Sequence, residues 1–136
     1  MKKEFVPYEL AVKLKQLGFD EPSLASWIEK DSREGGGIKL EIWNDEDTYY
    51  EVKSWTKAPL FQQAFSWFRD KNIHATINTY HSVNKDKPFG LSIDYLHESG
   101  IWDYFDYRGE SDFETYEEAE LACLTKLIEI VETRTK

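Results

Sequence analysis

A single cysteine, Cys123, stands in the 136 residues, so no disulfide can form within the chain, a composition that suits a reducing compartment. Long apolar runs are missing too. The opening Met-Lys-Lys-Glu-Phe-Val-Pro meets a proline and charged residues before any stretch resembling the core of a secretion signal. No window has the length needed to span a bilayer. A cytoplasmic protein with no membrane partner is the expectation. Clusters of Lys and Arg are absent: 17 cations face 26 carboxylates for a net charge of −9 and a pI near 4.8. Such a chain is repelled by phosphate backbones, and direct nucleic-acid binding is disfavoured.

The usual catalytic and metal signatures are lacking as well. His74, His81 and His97 are scattered, without a His-x-x-x-His pair or a Cys-x-x-Cys, so zinc is not expected. Asp103 and Asp106 lie three apart with aromatics between them, which is not the spacing of a calcium loop. Gly35, Gly36 and Gly37 precede the apolar alternation at Ile38 instead of following a strand, so they read as a hinge and not as a phosphate cradle. Cys123 falls within an apolar helical stripe, where a thiol without an electropositive neighbour is inert. No catalytic residue, metal or cofactor follows from these features.

What the chain does have is a strong local asymmetry. Residues 89–118 hold nine carboxylates against one cation, Arg108, and therefore carry −8 of the net charge. The same stretch contains Phe89, Tyr95, Trp102, Tyr104, Phe105, Tyr107, Phe113 and Tyr116. If Ile101 to Tyr107 is a strand, Trp102, Tyr104 and Asp106 share one face and Asp103, Phe105 and Tyr107 the other. Aromatic rings beside carboxylates suit a Lys/Arg-rich protein surface, through cation–π contact and ion pairing. The expected partner-binding residues are Asp94, Trp102, Asp103, Tyr104, Asp106, Tyr107, Glu110 and Asp112. Two other readings stand beside this one. In the first, the segment is an outer strand whose charges protect an edge. In the second, Asp94, Asp103 and Asp106 converge with a histidine in a small hydrolase or ligand site.

Periodicity supplies the elements. Leu10, Ala11, Leu14 and Leu17 recur at helical steps between Pro7 and Gly18. A second short helix, Pro22 to Glu29, is expected from Asp20-Glu-Pro22 and the grouping of Leu24, Trp27 and Ile28. Ile38, Leu40 and Ile42 alternate as a strand, expected to form a hairpin with a second strand around Tyr49 to Trp55. Leu60, Phe61, Ala64, Phe65 and Phe68 make the stripe of a middle helix opened by Pro59 and closing near Asn72. Strands follow over Ile73–Thr79, Phe89–Tyr95 and Ile101–Tyr107. Thr115-Tyr-Glu-Glu118 then reads as a capping box for a long C-terminal helix. The expectation is one α+β domain over residues 1–136. Its four- or five-stranded, mainly antiparallel sheet would carry N-terminal helices, a middle helix and the long C-terminal helix.

Three stretches, Phe5-Val-Pro-Tyr-Glu9 continuing to Leu17-Gly-Phe-Asp-Glu-Pro22, Ala58 to Arg69, and Tyr116 to Glu129, resemble a family of small proteins of tailed phages and prophages of gut bacteria. The resemblance covers about a third of the chain and implies neither an activity nor catalytic residues. It implies residence in the host cytoplasm. Combined with the charge segregation, it leads to the expectation of a non-enzymatic accessory protein that binds a basic host or phage protein through an acidic aromatic face.

Overall fold

Pro7 and Gly18 bound the first helix as their backbone chemistry requires. In the computed structural model, α1 (Tyr8–Gln16) starts directly after Pro7 and ends at Leu17. Gly18 then takes the left-handed φ of 99° that a side chain would oppose. The amides of Gly18 and Phe19 close the end by donating to the carbonyls of Lys15 (3.1 Å) and Leu14 (2.9 Å), a Schellman arrangement. The structure describes residues 2–30, 35–42, 52–79, 86–106 and 113–134. They fall into two compact units, Met1–Gln63 and Ala64–Lys136. Among the described residues no helix is long and apolar enough to cross a membrane.

The first unit holds α1 and an antiparallel sheet of β1 (Ala25–Lys30), β2 (Ile38–Ile42) and β3 (Val52–Lys57), in the order β2-β1-β3. The segment read as a second helix is thus the central strand. Its expected start signal is outweighed by pairing on both sides: Trp27 lies opposite Leu40 and Thr56, and Ile28 opposite Lys39 and Trp55. A central strand has both hydrogen-bonding edges paired, and Ala25, Ser26 and Ile28 are all buried. No polar alternation marks it, so a short apolar run of this kind resembles a helix segment in sequence. The expected hairpin of β2 with β3 is replaced by two separate ladders to β1. Phe5, Ala25, Leu40 and Ala58 form a core with Trp27 and Leu60 packed against it. The Trp27 indole N–H donates to the Val6 carbonyl (2.8 Å), which gives the half-buried ring its polar partner.

A second helix, α2 (Phe61–Asp70), begins in the first unit and runs into the second. It ends where Asn72 adopts a φ of 61°, the left-handed position that asparagine tolerates best after glycine.

The second unit contains another antiparallel sheet, β4 (Ile73–Thr79), β5 (Phe89–Leu96) and β6 (Trp102–Asp106), in that order, and the long α3 (Tyr116–Arg134). One sheet of four or five strands is therefore replaced by two sheets of three. The strand faces follow the expected parity. Ile73, Ala75 and Ile77 lie opposite Tyr95, Ile93 and Leu91, and α3 packs against β4 and β5. Ala119, Cys123, Leu124, Leu127 and Ile128 are buried along α3. Thr115 caps it, accepting the Glu118 amide proton (3.1 Å), while the Glu118 carboxylate accepts the Glu114 amide (3.2 Å).

Candidate functional site

Register decides which members of the acidic aromatic segment meet. Asp94, on β5, lies between His74 of β4 and Tyr104 of β6, and Ser92 lies opposite Asp106. Trp102 is paired with Leu96, so Trp102, Tyr104 and Asp106 hold register positions of one parity, on the sheet face carrying His74 and Asp94. Trp102 is 52% exposed. Its ring reaches across β5 to lie 5.5 Å, centroid to centroid, from the His74 imidazole. Asp94 and His74 are also exposed. This face combines an aromatic platform with a carboxylate and lies away from the row of Ile73, Leu91 and Ile93 that is buried on the α3 side.

Asp103 belongs to the opposite face, and the eight expected residues are accordingly not one cluster. Its Oδ2 accepts from the Tyr95 hydroxyl (3.4 Å) and from His97 Nε2 (3.1 Å). His97 itself starts the turn between β5 and β6, where its amide donates to the Ile101 carbonyl (2.8 Å) and its carbonyl accepts from Gly100 (2.9 Å). Arg134, at the end of α3, donates to the Leu96 carbonyl (2.8 Å) and lies 5.2 Å from the Tyr95 ring centroid. Burial raises the Tyr95 phenol above its usual range, the charge of Asp103 and its hydrogen bond add to this, and the charge of Arg134 opposes it. Tyr95, His97, Ile130, Thr133 and Arg134 line a cavity of about 300 Å³, completed by Lys126 and Glu129.

The carboxylates of Asp94 and Asp103 therefore face different sides of the sheet, which removes the convergence that a hydrolase built on both would need. Asp103 engages His97 and Tyr95 through a single oxygen. Cys123 offers no nucleophile, because burial, with the charge of Glu120 adding to it, pushes its thiol up to about 12. Among the described residues no three His, Cys, Asp or Glu side chains are placed to hold a metal ion. Tyr107, Glu110 and Asp112 of the expected set lie outside the described residues.

Sequence reasoning missed His74 as the companion of Trp102, and it missed Tyr95, His97 and Arg134 as one cluster. Parity within β4 placed His74 opposite the Ile73 face. Its place beside Trp102 depends on the β4–β5–β6 order, which no local pattern contains. Comparison of the chain with protein-family models, curated proteins and solved structures finds no match.

Proposed function

We propose that this chain is a non-enzymatic accessory protein, of the kind its phage-like segments suggest, that binds a basic partner protein. The surface is the open face of the second sheet, with Trp102 as anchor and Asp94 supplying charge. One observation carries the reading: a half-exposed tryptophan shares a sheet face with an exposed aspartate in a segment of charge −8. A large ring that remains in water within a field of one sign suits a cationic surface, which can stack on the ring and pair with the carboxylates. The field contributes mainly to the rate of encounter.

The test is affinity capture from host lysate at low and moderate salt, followed by association kinetics with the captured protein. Asp94→Asn combined with Trp102→Ala is expected to slow association, with a deficit that shrinks as salt screens the charges beyond about 8–10 Å. Capture of nothing above background, or an unchanged on-rate for the double variant, would reject the proposal. Binding that survives this variant and disappears in Arg134→Ala would move the site to the cavity at Tyr95 and His97, which is the structural basis for a small-ligand reading.

A further inference from the structure

The outer edge of β2 has a sequence that matches itself. β2 is hydrogen-bonded to β1 on one side, and among the described residues no strand pairs with its other side. The Lys30 amide donates to the Gly37 carbonyl (2.9 Å), so these two form a hydrogen-bonded pair. By the alternation of an antiparallel ladder, Ile28–Lys39 and Ser26–Glu41 are the next such pairs. On the far side of β1 the Ala58 amide donates to the Ala25 carbonyl (2.9 Å), the complementary parity. Lys39 and Glu41 therefore direct their backbone groups to β1. Those of Ile38, Leu40 and Ile42 point outward, forming an edge that no strand among the described residues pairs with.

Read in the opposite direction, Ile38-Lys-Leu-Glu-Ile42 places isoleucine on isoleucine, leucine on itself and lysine on glutamate. We infer that β2 is a self-association edge: two copies of the chain join antiparallel strands about a two-fold axis at Leu40. This register makes Leu40–Leu40 and Ile38–Ile42 hydrogen-bonded pairs, and every outward-directed group of β2 then finds a partner. Lys39 falls opposite Glu41 of the second copy at non-hydrogen-bonded positions, where facing side chains are closest. Centring on residue 39 or 41 would keep outward backbone groups paired but would oppose Lys39 to Lys39 or Glu41 to Glu41. Ile38 and Ile42, now 42% and 46% exposed, cover each other. In the single copy Lys39 Nζ lies 2.8 Å from Glu41 Oε1 of its own strand, so the same two charges serve the monomer and exchange partners in the dimer. The contact is isologous, and two three-stranded sheets become one of six strands.

The inference uses the first unit alone and is independent of the acidic face of the second. Sedimentation of the full chain is expected to show a reversible monomer–dimer equilibrium with a dissociation constant below about 1 mM. Lys39→Glu and Glu41→Lys each replace two opposed pairs by two repulsive ones and should weaken the dimer roughly tenfold. The double exchange Lys39→Glu/Glu41→Lys restores the complementarity and should restore association. Amide hydrogen exchange of the unaltered protein gives a second readout that needs no variant. The amides of Ile38, Leu40 and Ile42 should slow as concentration rises, while those of Lys39 and Glu41 stay constant. A chain that remains monomeric at about 1 mM, single variants that associate like the parent, a double exchange that does not recover, or exchange at the three outward amides that ignores concentration would each overturn the inference.

Discussion

Cys123 shows how burial, reinforced by the charge of Glu120, sets the chemistry of a side chain. It lies fully buried in α3 between Ala119 and Leu127, so its thiolate would lose hydration without a cation to replace it. Its folded value near 12 compares with an ordinary 9.0. The native thiol should resist a water-soluble thiol reagent at about pH 8 and react once the chain is unfolded in urea. The same shift carries a pH dependence. Because the folded value is raised, the folded state holds the proton that the unfolded state releases above its ordinary value of 9.0. The stabilisation is complete below that value and is lost as pH rises toward 12. Urea unfolding between these values should show falling stability, with a shallower fall in Cys123→Ala. An equal slope in both proteins would place the effect elsewhere. Asp20 shows the opposite sign. A hydrogen bond and the charge of Lys57 lower its carboxyl, but full exposure leaves it little influence on the fold.

Among the elements, α3 is where sequence and structure agree most closely, and it separates two kinds of contribution. Leu127 is fully buried on its packed face, and Leu127→Ala should cost about 2–5 kcal/mol through lost burial and the cavity left behind. Thr115→Ala removes only the cap on the Glu118 amide and should cost about 1 kcal/mol. Chemical denaturation of both variants checks the ordering, and comparable losses would show that the helix depends on its cap more than on its packing. The reason α3 is legible in sequence is that its cap, period and buried stripe are local. β1 is the contrary case. Ala25-Ser-Trp-Ile28 is a central strand because β2 and β3 pair with its two edges, and that information resides in β2 and β3. Gly18 and Asn72, with φ of 99° and 61°, were likewise recognisable, since each ends a helix through its own backbone tolerance.

Across the whole molecule the dominant imbalance is the charge of −8 in residues 89–118 against −9 for the chain. Mutual repulsion among these carboxylates opposes the compact state. Raising ionic strength from about 0.01 M to 0.15 M shortens the screening length from about 30 Å to 8 Å and should raise the melting temperature by roughly 2–5 °C. A thermal scan in the two buffers tests this, and an unchanged or lower midpoint would mean that the segment is already compensated within the fold. The α+β class, the helices α1, α2 and α3, the strand faces of β4 and β5 and the location of the acidic aromatic segment were all determined by local periodicity, capping and charge, which require no knowledge of neighbours. The tertiary structure alone decided that the strands divide into two sheets of three, that residues 25–30 form the centre of one, and that Asp94 and Asp103 lie on opposite faces. Strand order is set by which distant segments bury one another's apolar rows and complete one another's backbone hydrogen bonds, and a local pattern records that a face is apolar without recording what covers it.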